Sequence, residues 1–387
     1  MARAVVHLHP FAARPMLPNT TAKPLPHAGQ AGYTSVPSIR EPGHNQMNQI
    51  TMKDIALACG VSIITVSKAM RGRPDIGAET RKRVLAKAKE LNYRPNLTAR
   101  SLVTGQSRQV GVIVPTLLHP FFAEVLEGLA ATMKQGGYAV MISSSMEDSG
   151  AEEVAIELLL GHQLDGLIVA SCSTSPGKFE QLKEQRVPFV LIDRFFPGFK
   201  ADFVGVDDVA VGRIATEHLI AMGCKRIAHI RGLEFTTGVG RFEGYKQALH
   251  KHGMKLDPSM VSPYMTADGK DWQQSYEAMR ALLSHRRPDG VFCYNDPIAI
   301  AAIDVALEAG LRIPKDIAFI GCDNLHFDGS LKAPLSSVDH HSRLIGVRAS
   351  RLLLSRLKDK ASGTPRHIAL QPALVVRESS LRRPLAQ

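Results

Sequence analysis

From Gln109 onward, short apolar runs recur at intervals long enough to hold a helix between them, and this alternation constrains the fold more than any other feature. The runs are VGVIV at 110–114, AVMI at 139–142, LDGLIVA at 164–170 and FVLID at 189–193. A second series follows with RIAHI at 226–230, a weaker segment near Val261, GVFCY at 290–294 and IAFIG at 317–321. Runs that are apolar throughout belong to strands covered on both faces, the pattern of a doubly wound parallel sheet. Two such series predict two α/β lobes with a cleft between them. Ligands of these sheets sit beyond the carboxyl ends of the strands.

The segment before Gln109 has helix signals instead. Thr51 is placed to cap a helix with Asp54 three residues on, an acidic variant of the capping box, and Gly60 ends it. Ser62 can cap a second helix through Val66, Ala69 and Met70. A third is expected from about Ala78 to Leu91, with Val84, Leu85, Ala88 and Leu91 on one face. Two short helices joined by a Cys-Gly-Val turn form a helix-turn-helix. Pro95 blocks further helix, Asn96 can cap a fourth short one through Ala99 and Leu102, and Gly105 closes it. The expected organisation is therefore a tail at 1–47, a helical headpiece at 48–94, a hinge helix and linker at 95–108, a two-lobed body at 109–380 and a tail at 381–387. The first segment is read as a disordered tail or as the product of a mis-assigned start, because Met47 and Met52 both stand just before the first regular element.

The formal charge of +11 implies a polyanionic partner, and its distribution says where that partner binds. Between Met47 and Arg108 twelve lysines and arginines face four acids, so this short stretch carries about +8. No apolar run reaches the roughly 18 residues of a membrane helix, so no membrane role is expected. The five cysteines are scattered with no C-x-x-C spacing, which indicates neither a disulfide framework nor a zinc module and fits a reducing cytoplasm.

The headpiece residues carry a resemblance. A-x-x-x-G-V-S-x-x-T-V-S from Ala56 to Ser67, E-T-R from Glu79, and Y-x-P-N-x-x-A-x-x-L from Tyr93 to Leu102 occur in the order found in the lactose/galactose repressor (LacI/GalR) family, which this chain resembles over essentially everything after Met47. The resemblance implies a small all-α helix-turn-helix headpiece on an α/β core of two doubly wound lobes like that of periplasmic binding proteins. It implies that Ser62 to Met70 enter the major groove, with Ile63, Ile64 and Lys68 reaching base edges. Two exposed isoleucines can pack on thymine methyls, although they can also join the core. Lys68 stands where the family usually has arginine, so a point charge replaces a bidentate fork. Thr51, Thr65, Ser67, Asn96 and Arg100 can reach phosphates or sugars, contacts that position the protein, Ser62 and Ala99 are further expected DNA-binding residues, and Leu102 would wedge into the minor groove and bend the duplex.

In the cleft, the resemblance implies that Asp193, Arg194, Arg241, Asn295 and Asp323 bond the hydroxyls of an effector, while Phe121, Phe122 and Trp272 stack on its ring. Asp193 and Arg194 can equally form a structural ion pair, and Asp296 is expected to cap the following helix. His119 and His340 stand where pentose-binding relatives have asparagine and glutamine.

The expected protein is a cytoplasmic, dimeric, sequence-specific regulator of repressor type. It would bind near-palindromic double-stranded operator DNA, respond to a monosaccharide or derivative, and assemble as a homodimer or higher. A sugar-binding transport protein is the alternative, lacking an apparent secretion signal. An enzyme of sugar metabolism is the third reading, but no nucleophile elbow, P-loop, metal motif or dinucleotide fingerprint is found, so neither cofactor nor metal is expected.

Overall fold

The computed structural model describes residues 50–94, 105–266, 271–358 and 363–382, in two compact units that divide after Arg94. The expected N-terminal tail, the hinge helix with Asn96, Ala99, Arg100 and Leu102, and most of the C-terminal tail lie outside the described residues.

The described residues of the first unit form three helices, α1 (Met52–Cys59), α2 (Ile63–Met70) and α3 (Ala78–Glu90). At the start of α1 the Thr51 backbone N–H and hydroxyl both donate to Asp54 Oδ2 at 2.8 Å. Gly60 ends the helix at φ 63°, a conformation that costs glycine little. Ser62 Oγ accepts from Thr65 N–H at 3.0 Å and so caps α2. A small core forms from Ile55, Ala56, Cys59, Val66, Ala69, Val84 and Ala88. One expectation fails here: Leu85 is 45% exposed. The inward stripe of α3 is only as wide as Val84 and Ala88, four residues apart, because two eight-residue helices cover no more of it.

The second unit has two parallel-sheet lobes. The first sheet runs β10-β5-β4-β3-β1-β2, built from β1 (Gln109–Val114), β2 (Ala139–Ser144), β3 (Gly166–Val169), β4 (Phe189–Ile192), β5 (Phe203–Val206) and β10 (His367–Leu370). The second runs β11-β9-β8-β7-β6, built from β6 (Ile227–Ile230), β7 (Gly290–Cys293), β8 (Ala318–Asp323), β9 (Ser336–Asp339) and β11 (Ala373–Val375). Among the described residues only β11 pairs antiparallel, and the segment near Val261 is a single bridge to His229. Helices cover both faces: α4 (Pro120–Gln135), α5 (Ser149–Gly161) and α6 (Gly177–Glu184) in the first lobe, and α7 (Asp208–Ala221), α8 (Thr236–Lys251), α9 (Asp271–His285) and α10 (Asp296–Glu308) in the second. A final helix, α11 (Ser342–Lys358), returns to the first lobe and packs on α4. That contact is close enough that a Cβ on Gly346 would sit 2.0 Å from the Val125 carbonyl. The chain thus crosses between lobes three times, before α7, before α11 and before β11. These crossings are where one lobe can turn against the other. Among the described residues no helix is long and apolar enough to cross a membrane.

Candidate functional site

On the headpiece, α2 buries Val66 and Ala69 and turns Ile63 (47% exposed), Ile64 (68%) and Lys68 outward. The two isoleucines therefore stay out of the core. Ser62 and Thr65 hold each other's hydroxyls at 2.9 Å, and the Thr51 hydroxyl proton is committed to Asp54, which leaves that oxygen an acceptor. Lys68 is not free either: its ammonium meets Asp75 at 2.6 Å.

Between the lobes lies a cavity of about 450 Å³ whose walls include all ten residues named above for the cleft. Eight of them lie at or just beyond the carboxyl ends of β1, β4, β7, β8 and β9, as the strand pattern requires, while Arg241 comes from within α8 and Trp272 from the start of α9. His119 follows β1 and caps α4, its Nδ1 accepting from Phe121 N–H at 3.3 Å. Phe121 and Phe122 are each 4% exposed and pack edge to face, with Phe121 also against His340. They are wall and core at once. Trp272, by contrast, is half exposed at the mouth.

Asp193 and Arg194 end β4, but the guanidinium is spent mainly on Glu147, which it binds through two hydrogen bonds of 2.8 Å. Asp193 stands 3.5 Å from Nε of the same arginine, and Phe235 of the second lobe lies under it at 4.0 Å. Arg241 is likewise committed, to Asp208 at 2.9 Å and to the Tyr294 carbonyl at 2.5 Å. Close approach of α7 to α8 puts it there. A Cβ on Gly212 would lie 1.9 Å from the Arg241 carbonyl, and one on Gly244 2.0 Å from that of Val209.

The expected cap at Asp296 is corrected to Asn295, whose side chain accepts from Ile298 N–H at 3.0 Å. A cap must have extended backbone, which Asn295 has at φ −145° and ψ 174°. Asp296 is already inside the helix and buried, accepting from the Ser337 hydroxyl at 2.8 Å.

Burial dominates the electrostatics. It raises the carboxyls of Asp193 and Asp323 against the pull of the nearby arginines, and lifts Asp208 to about 7. Burial, with Arg241 and Arg194, lowers His119 to about 4, and burial, with Arg241, holds His340 well below its ordinary value, so both rings are neutral. Among the described residues, Arg194 Nε, Asp323 Oδ2 and His340 Nδ1 are buried without a hydrogen-bond partner. Such groups destabilise the cleft unless a ligand supplies their partners.

Sequence reasoning missed Glu147, Asp208 and Tyr294. Glu147 lies just beyond the carboxyl end of β2, and applying the strand-end rule to that strand would have found it. Asp208 follows β5, a strand the apolar pattern did not reveal.

Residues 51–96 match the family described as bacterial regulatory proteins, lacI family, and residues 216–380 match the periplasmic binding protein-like domain. The HTH-type transcriptional repressor PurR of Haemophilus influenzae (strain PittEE) is 32% identical over 337 residues, covering 85% of this chain and 98% of that protein. Among solved structures, a transcriptional regulator CelR–cellobiose complex is 30% identical with a TM-score of 0.65, covering 85% of this chain and 99% of that one. The lac repressor dimer bound to operator and the anti-inducer ONPF shares the fold at a TM-score of 0.77 and 24% identity, covering 86% of this chain and 100% of that one.

Proposed function

The chain belongs to the lacI family of bacterial regulatory proteins and is a DNA-binding transcriptional repressor with an effector-binding domain, and we propose that its effector is an uncharged sugar, a monosaccharide or a derivative of one. One observation carries this reading: both arginines of the cleft already hold carboxylates, Arg194 with Glu147 and Arg241 with Asp208, so an anion entering finds each cation committed. The remaining acids are pushed toward their neutral forms. What the cavity offers instead is hydrogen-bonding groups set among Phe121, Phe122 and Trp272, the chemistry that suits hydroxyls on an apolar ring face. The related CelR holds cellobiose, which supports the same class.

A planar nucleobase is the second reading, favoured by the aromatic walls. Titration calorimetry with neutral sugars, sugar phosphates, uronates and nucleobases, each repeated as release or recruitment of operator DNA, separates these. Binding confined to sugar phosphates would sink the proposal.

On the DNA side, α2 enters the major groove with Ile63, Ile64 and Lys68 toward base edges. The effector acts by linkage: whichever lobe arrangement it prefers alters the placement of two headpieces on a near-palindromic site. Those two headpieces come from a homodimer. Ile142 on the edge strand β2, Met146 after it, and Val154 and Leu158 one turn apart on α5 are 49 to 75% exposed, an apolar patch suited to self-association. Leu158→Asp should shift the protein toward monomer in analytical ultracentrifugation.

A further inference from the structure

Asp75 is no casual partner for Lys68. It lies in the turn between α2 and α3, where Gly72 N–H bonds the Ala69 carbonyl and Arg73 N–H that of Lys68, each at 3.1 Å. The Arg81 guanidinium ties down the Arg73 carbonyl at 2.6 Å, and Ile76, the next residue, packs onto the headpiece core. A carboxylate on a braced turn is thereby set against the one cation within α2.

We propose that Asp75 is a specificity-determining residue: it withholds Lys68 from generic phosphate and directs its amine to a base edge at the operator. The inference rests on the reading that α2 enters the major groove. An ammonium has three donors, so one N–H can stay on Asp75 while another reaches O6 or N7 of a guanine. Backbone phosphate is the poorer second acceptor, because the carboxylate repels its fully charged oxygens more than it repels the neutral acceptors of a base. A lysine also lacks the planar fork that aims an arginine, and the fixed carboxylate supplies that aim. With the side chains of Lys68 and Asp75 46% and 51% exposed, the pair is weak, so it tunes discrimination and does not block binding.

The test uses the full chain, an operator captured from genomic fragments, and a scrambled duplex of the same length, over a range of salt. Asp75→Asn should tighten binding to the scrambled duplex by about threefold to fivefold, the ceiling for an exposed pair, and steepen its salt dependence by about one ion. Operator affinity should change less, so the ratio falls, and Asp75→Glu should restore part of it. In a Lys68→Ala background, Asp75→Asn should leave the ratio where it was. Equal tightening on both duplexes in both backgrounds would reduce Asp75 to diffuse charge and overturn the proposal. Failure of the unmodified protein to distinguish the duplexes would overturn the major-groove reading instead. Both side chains are exposed, so circular dichroism should report an unchanged fold.

Discussion

The side-chain amide nitrogen of Asn295 lies 3.0 Å from Nε2 of His119, the two residues facing each other across the cleft from opposite lobes. Each residue caps a helix, and each spends its acceptor there, His119 Nδ1 on Phe121 N–H and Asn295 Oδ1 on Ile298 N–H. A neutral imidazole whose Nδ1 accepts carries its proton on Nε2, so two donors face one another. An effector oxygen that accepts from both is a better partner than either is for the other. Occupancy of this point therefore biases the lobes toward one arrangement, which is what a linked change in operator affinity requires.

The neutral state of His119 makes a prediction about pH. Burial and the nearby Arg241 and Arg194 lower it from 6.5 to about 4, so between these values the unfolded chain binds a proton that the folded chain does not. Stability from this group is present above pH 6.5 and is lost as pH falls toward 4. The acids of the cleft act in the opposite sense, so the effect is read as the difference between the unmodified protein and His119→Asn in urea unfolding. That difference should shrink in the unmodified protein's disfavour across the window. Parallel curves would refute it.

Glu147→Gln should cost stability and change ligand preference together. Arg194 is 7% exposed and Glu147 19%, so removing the carboxylate takes away both short bonds of a largely buried guanidinium and leaves it Asp193 at 3.5 Å. A loss of about 3 kcal/mol in urea unfolding is expected. The released arginine should also admit an acidic sugar that the unmodified protein rejects, measured by calorimetry with a uronate. A destabilised variant with unchanged preference would show that Arg194 faces away from the ligand.

Trp272 is the single tryptophan of the chain and stands half exposed at the cavity mouth, so its fluorescence should report effector binding directly. Trp272→Ala should weaken the effector about tenfold, the worth of one aromatic stack, and leave operator affinity without effector unchanged. Emission that stays constant through a calorimetrically saturating titration would remove Trp272 from the contact.

These tests fall on residues that were unevenly legible. The eight apolar runs marked seven of the eleven described strands: β1, β3, β4 and β6 to β8 are buried on both faces and read as continuous hydrophobic segments, while β2 is a half-exposed edge strand that its apolar residues 139–142 still mark. β5 escaped because no helix separates it from β4, and β9 because its Ser336 and Ser337 are buried through hydroxyl bonds, so it reads as a polar turn. β10 and β11 are short segments whose partners lie far away in the chain. The cavity lining was readable from strand ends, whereas the commitment of its arginines was not. That depends on Glu147 and Asp208, and on α7 approaching α8 through Gly212 and Gly244, contacts between distant residues that local pattern does not encode.

The sharpest test of the headpiece sets two neighbours on α2 against each other. Val66 is fully buried beneath α1 and α3, while Ile64, two residues earlier and on the opposite side, is 68% exposed. Val66→Ala should lower stability by about 2 kcal/mol through lost burial and a residual cavity. It should weaken operator and scrambled duplex alike, in proportion to the unfolded fraction. Ile64→Ser should behave in reverse, because an exposed isoleucine contributes little to folding but can cover a thymine methyl. The melting temperature should hold while operator affinity drops about tenfold and scrambled-duplex affinity stays level. If Ile64→Ser instead melts the headpiece as Val66→Ala does, the isoleucine is part of the core and the reading face of α2 lies elsewhere.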